Sequence, residues 1–160
     1  MSDYEQCFLK TPIGTARIVG NSNGISEISV LDEEVESSRE VPDALNECVT
    51  QLQEYFNGER KVFSIKLNPS GSDFQKKVWD ELLNIPFGKR TTYMKQTLKL
   101  GSEKAIRAVA GANGKNPVWI IIPCHRVVGA DGSLTGYAGG LWRKKWLLEH
   151  ESPSGQTSLF

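Results

Sequence analysis

Val118-Trp119-Ile120-Ile121-Ile122-Pro123-Cys124-His125-Arg126 is the stretch from which the second half of this chain can be read. Five apolar residues are too few for a membrane span and read as a buried strand or a packed segment. Pro123 then ends the run, and proline suits the first position of a helix. That reading places Cys124 at a helix N-terminus, where unpaired backbone N–H groups and the macrodipole favour a thiolate. The thiolate is the nucleophilic form of cysteine, so the placement makes Cys124 a candidate nucleophile. A buried, inert thiol is the competing reading of a lone cysteine.

Outward from this point the chain divides. Residues 1–69 carry six Lys/Arg against twelve Asp/Glu, and residues 70–160 carry thirteen against seven, so a net charge of zero hides opposite halves. The split suggests two units, the second disposed towards polyanions, although solvated charges alone could produce it. Asn68-Pro69-Ser70-Gly71 is the best linker candidate. The acidic N-terminus lacks a secretory pattern, and no apolar run approaches the roughly 18 residues of a membrane span. Three cysteines (Cys7, Cys48, Cys124) without CxxC spacing argue against a disulfide scaffold and fit a reducing, cytoplasmic setting. With two histidines and no ligand-pair spacing, no metal site and no cofactor are expected.

In the first unit, Tyr4–Leu9, Thr15–Val19 and Ile25–Leu31 read as strands separated by turn residues. Leu45, Val49, Leu52 and Phe56 recur at helical spacing from Asp43, with Gly58 as a stop. Val62, Phe63, Ile65 and Leu67 suggest one more strand. Cys7 and Cys48 fall on apolar faces and read as structural. In the second unit, Ser72-Asp73-Phe74-Gln75 is a capping-box pattern that opens a helix ending near Pro86-Phe87-Gly88. Segments near Tyr93–Leu100 and Ser102–Gly111 form a helix pair around Gly101, compatible with a helix-turn-helix or with an ordinary helical pair. Arg107 stands among Ala105, Ala108 and Ala110; either this face meets phosphate or bases closely, or the alanines pack inward and Arg107 is solvated. Gly136-Tyr137-Ala138-Gly139-Gly140 exposes backbone, and a last helix runs from about Leu141 to Glu151, before a polar tail.

Successive helical residues point about 100° apart, so His125 would reach Cys124 through a water more readily than directly. An acidic residue of the last helix, Glu149 or Glu151, could orient it.

Pro123-Cys124-His125-Arg126-Val127-Val128 resembles the active-site signature of the O6-alkylguanine-DNA alkyltransferases, or methylated-DNA–protein-cysteine methyltransferases. The likeness continues through Thr92-Tyr93, Ala105–Val109, Asn116-Pro117, Gly136–Gly140 and Trp146–Glu151 in order. It implies an α+β fold: a small ribonuclease-H-like α/β domain over 1–68 and a mainly helical, winged helix-turn-helix-like domain over 72–151. Residues 152–160 are expected to be a disordered tail.

The resemblance further implies direct-reversal DNA repair. Cys124 would take the alkyl group from O6 of guanine irreversibly, once per molecule, making the chain a single-turnover methylated-DNA–[protein]-cysteine S-methyltransferase. His125 would receive the thiol proton, Glu151 would orient His125, Tyr93 would donate to guanine N3, and Asn116 would brace the turn beside the active-site segment. Arg107 would fill the stack left by a flipped base, with Thr92, Ala105, Ala108 and Arg126 as further DNA contacts. Val127, Tyr137 and Ala138 would form the substrate pocket. The expected partner is double-stranded DNA carrying O6-alkylguanine, with O4-alkylthymine a further candidate. The protein would act as a monomer, away from membranes and associated with the nucleoid. Ala138 stands where some relatives have Ser, so only its backbone N–H carries over; Trp119 is bulkier than usual there. Alkyltransferase-like proteins that only bind damage replace the cysteine, which this chain retains, and nothing here suggests a hydrolase's acyl pocket.

Overall fold

Cys7 faces Ile18, and Leu9 faces Ala16, across an antiparallel strand pair. In the computed structural model, which describes residues 3–152, β1 (Glu5–Thr11), β2 (Gly14–Asn21) and β3 (Gly24–Leu31) form one sheet in that order. Ala16 and Ile18 also face Val30 and Ile28 of β3, so one apolar face runs across all three strands. Alternation with period two puts these side chains on the same side. Helix α1 (Asp43–Phe56) buries the apolar side chains of Leu45, Cys48, Val49, Leu52 and Tyr55, and with the sheet face they make the core of this unit. The β2–β3 turn requires Gly24: its φ is 129°, and an added Cβ would lie 2.9 Å from the Lys66 carbonyl oxygen.

The strand expected over Val62–Leu67 does not form. Leu67 makes a single bridge to Ile25, and Val118 makes another to Ile28. Two separate segments thus share the outer edge of β3, and neither builds a ladder. Val62 is 74% exposed, so this run lacks the buried face that would hold a strand.

The division of the chain falls between Ser70 and Gly71, with one exception: Pro117–Trp119 belongs to the first unit. Ile28 N–H donates to the Pro117 carbonyl and Trp119 N–H to the Ile28 carbonyl, both at 2.9 Å. The second unit is therefore not one continuous run.

That unit opens with α2 (Asp73–Leu82). Ser72 Oγ accepts from Gln75 N–H, and Gln75 Oε1 accepts from Ser72 N–H, the reciprocal capping the sequence announced. Helix α3 (Tyr93–Lys99) and α4 (Ile106–Gly114) follow, the latter led by a 3-10 turn at Glu103–Ala105. Gln96 and Asn113 exchange two buried amide hydrogen bonds of 2.8 and 2.7 Å, fixing α3 against α4. Trp79 Nε1 donates to the Ala112 carbonyl at 2.9 Å, tying α2 to α4. A two-residue parallel ladder joins β4 (Thr91–Thr92) to β5 (Val127–Val128), and α5 (Leu141–Glu151) closes the described chain. No helix among the described residues is long and apolar enough to cross a membrane. The tail expected from 152 onward lies, beyond Ser152, outside the described residues.

Candidate active site

Ile120, at φ 75°, is the one non-glycine residue with positive φ among those described. A β-branched residue is strained there, so the chain turns sharply just before the reactive segment. The apolar run is accordingly a packed segment with one bridge, at Val118, and not a strand. Ile120 and Ile122 are buried, and Pro123 caps a single 3-10 turn, Cys124–Arg126. This corrects the expected helix N-terminus. One turn carries too few aligned peptides for a macrodipole. Burial instead dominates and pushes the Cys124 thiol up, against the Asn116 amide and the Lys144 charge, which pull it down. The thiol is 8% exposed and rests protonated.

Asn116 Nδ2 donates to the Ile122 carbonyl at 2.7 Å and to Cys124 Sγ at 3.2 Å. One amide therefore fixes both the backbone turn and the sulfur. His125 is wholly buried, and its Nε2 lies 2.7 Å from Glu151 Oε2. Burial lowers its pKa, opposed by Glu151, so the ring is neutral at rest. A carboxylate only accepts, so the ring proton sits on Nε2. The other nitrogen, Nδ1, is a buried lone pair without a hydrogen-bond partner among the described residues.

Arg126, expected to contact DNA, is committed inside the protein instead. It is buried, with Nε donating to Glu151 Oε1 at 2.7 Å, Nη2 to Oε2 at 3.0 Å and Nη1 to the Ile85 carbonyl at 2.6 Å. All three nitrogens are engaged. Burial pushes the Glu151 carboxyl up, but His125 and Arg126 outweigh it and hold Glu151 well below the usual carboxylate range. The structure brings Glu151 to His125; Glu149 lies half exposed and pairs with Lys145 at 3.9 Å.

A cavity of about 600 Å³ is lined by Tyr93, Arg107, Thr135, Gly136, Tyr137 and Ala138, among others. That size is ordinary for a small-ligand pocket. Val127 is not among its walls; its side chain is fully buried within β5. Tyr93 Oη donates to the Thr135 carbonyl at 3.0 Å, and burial raises its pKa. Burial raises Tyr137 further. On α4, Arg107, Ala108 and Ala110 are exposed, while Val109 and Ala112 are buried. The alanines beside Arg107 thus do not pack inward, and α4 offers a smooth surface around one cation. Ala105 is half-buried at the end of the 3-10 turn, and Thr92 caps α3 by accepting from Lys95 N–H.

Lys144 escaped the sequence reading. Its side chain is wholly buried, its Nζ donates to the Thr135 carbonyl at 2.7 Å, and it lies 5.7 Å from the centre of the Tyr93 ring. The signal was present: Lys144 stands four residues before Leu148 and seven before Glu151, on the inward stripe of α5. The other two thiols are remote from chemistry, since burial pushes Cys7 up to about 11 and Cys48 to about 12. No group of three His, Cys, Asp or Glu among the described residues could hold a metal ion.

A buried thiol, a neutral imidazole backed by a carboxylate, and a pocket beside an exposed helix-turn-helix define a cysteine-based group acceptor. The comparisons agree with that class. A family model described as "6-O-methylguanine DNA methyltransferase, DNA binding domain" matches residues 73–153, and its "ribonuclease-like domain" matches 6–69. The methylated-DNA--protein-cysteine methyltransferase of Mycobacterium tuberculosis is 41% identical over 155 residues, covering 94% of each chain. That of Methanosarcina acetivorans is 43% identical over 149 residues, covering 89% of this chain and 94% of its own. A crystal structure of Mycobacterium tuberculosis OGT in complex with DNA has a TM-score of 0.83 at 40% identity, covering 97% of this chain and 95% of that one. This chain belongs to the 6-O-methylguanine DNA methyltransferase family.

Proposed function

We propose that this chain repairs DNA by moving an alkyl group from O6 of guanine onto Cys124 in a single, irreversible turnover. The observation that carries the proposal is the wiring of His125: Nε2 is committed to Glu151, which leaves the buried Nδ1 as the base. The Cys124 proton passes through one solvent molecule to Nδ1, and Glu151 stabilises the resulting imidazolium. Sulfur then attacks the alkyl carbon, and the C–O6 bond breaks with its electron pair on guanine. Tyr93, already in the pocket wall, donates to N3 and offsets the charge developing on the departing base. Sulfur keeps the alkyl group as a thioether, from which no thiol re-forms.

Guanine O6 is out of reach of a buried sulfur while the base is stacked, so the damaged nucleotide is extruded into the pocket. The exposed Arg107, on the small-residue surface of α4, fills the gap in the duplex. Ala105, Ala108 and Thr92 flank it as backbone contacts. A monomer acting on duplex DNA, cytoplasmic and nucleoid-associated, is part of the same proposal, with O4-alkylthymine as a further substrate.

The test is intact mass after incubation with a duplex containing O6-methylguanine. One methylene is gained per protein, and the gain disappears in Cys124→Ala. Repeated turnover, or binding without a mass change, would overturn the proposal.

A further inference from the structure

The Thr135 carbonyl accepts two hydrogen bonds, one from Tyr93 Oη at 3.0 Å and one from Lys144 Nζ at 2.7 Å. Tyr93 cannot serve a base while its only hydroxyl proton points at Thr135. To turn towards guanine it must leave that carbonyl. With no second donor, the carbonyl would be stripped of its partner in the pocket wall at the moment of base entry.

We propose that Lys144 is a positioning residue for Tyr93: it keeps the Thr135 carbonyl paired and so frees the tyrosine hydroxyl for the incoming base. This rests on the reading of Tyr93 as the donor to guanine. The geometry suits the task. Lys144 comes from α5, beneath the Tyr93 ring, and its Nζ also lies 3.5 Å from the neighbouring Gly136 carbonyl. A wholly buried ammonium is costly to keep, and here its donors are spent on one pocket wall and not on a carboxylate partner. Gly136 has φ 53°, so the backbone it holds turns sharply beside Tyr93.

The charge state of Lys144 supplies a signature. Burial pulls its pKa down to about 8, with Cys124 pushing it back up. The titratable groups facing it are Tyr93 from α3 and Cys124 and His125 from the reactive turn. Tyr93 and Cys124 are shifted above their ordinary values of 10.0 and 9.0, and His125 below 6.5, so none of them shares the Lys144 range. The neutral amine still has N–H donors but loses the charge that strengthens the bond, so the effect is full at neutral pH and weakens as pH rises through about 8.

The experiment is a double-mutant cycle of Lys144→Met and Tyr93→Phe, read as the single-turnover rate of methyl transfer from duplex O6-methylguanine across this pH range. At neutral pH, Lys144→Met slows transfer by about ten- to a hundredfold, the effect of leaving one acceptor unpaired. The ratio of the parent rate to the Lys144→Met rate shrinks as pH rises past about 8. In the Tyr93→Phe background, Lys144→Met changes the rate by less than about threefold. A pH-independent ratio, or the same loss in both backgrounds, overturns the proposal while leaving the Tyr93 reading intact. Tyr93→Phe transferring as fast as the parent overturns the Tyr93 reading itself, and this inference with it. Should Lys144→Met fail to fold, the ratio of parent to Tyr93→Phe decides: it must shrink above pH 8, and a constant ratio overturns the proposal.

Discussion

Arg126 grips Glu151 at both carboxylate oxygens, Nε on Oε1 at 2.7 Å and Nη2 on Oε2 at 3.0 Å. The same Oε2 takes the His125 Nε2 proton, so a single carboxylate anchors the arginine and aims the imidazole. Two-point guanidinium pairing fixes a carboxylate's plane as well as its place. The residue next to the base is thereby part of the base's mounting.

Glu151→Gln should be costly for the fold as well as for activity. It leaves the Arg126 guanidinium buried without a counter-charge, a loss of about 3–5 kcal/mol. Urea denaturation followed by far-UV circular dichroism would measure it. A change below about 1 kcal/mol would mean that Arg126 reaches water when released.

The same pair sets a pH dependence. Glu151 is held below its unfolded value, so its stabilisation is complete above the ordinary carboxylate range and is lost as pH falls through the folded value. On acidification the parent should lose more stability than Glu151→Gln, whose side chain does not titrate. Urea midpoints for both proteins between neutral pH and about pH 2 test the sign. Parallel curves would show that other carboxylates carry the acid sensitivity.

Asn116→Ala removes the donor on Cys124 Sγ, together with the bond to the Ile122 carbonyl. The thiol should rise further, and alkylation of Cys124 by iodoacetamide at neutral pH should slow by about tenfold, the effect of one hydrogen bond to a charged group. Peptide mapping assigns the modified cysteine, since Cys7 and Cys48 are also buried. Unchanged reactivity would assign Asn116 to the backbone alone.

Arg107→Ala should slow repair of duplex DNA while affecting reaction with free O6-methylguanine base much less. An exposed cation on α4 has no part in the wiring of the thiol. Equal loss on both substrates would mean that Arg107 acts only through the pocket it lines and not as an aid to base extrusion.

Much of this was open to reading in one dimension. The Ser72–Gln75 capping box and the apolar stripe of α1 are local signals, and local signals fixed those helices where expected. Cys124, His125 and Glu151 carried distinctive chemistry and came together. What stayed hidden was side-chain burial among cations. Arg126 was expected to contact DNA, and the Arg143-Lys144-Lys145 run drew no reading at all. Arg143 and Lys144 are in fact buried, and only Lys145 of the three is exposed. Charge type does not say whether a partner waits inside. The failed strand at Val62–Leu67 has a similar cause: the edge of β3 is divided between two segments distant in sequence.

Pro117–Trp119 gives the edge of β3 a second meaning. Four residues separate Trp119 from Cys124, and the Ile28 backbone grips the start of that short tether from both sides. Were the sheet to melt, the tether would lose its hold and the alkyl acceptor would lose a fixed end of its own chain. The segment leading to the cysteine is thus anchored at one end by two backbone hydrogen bonds that β3 supplies.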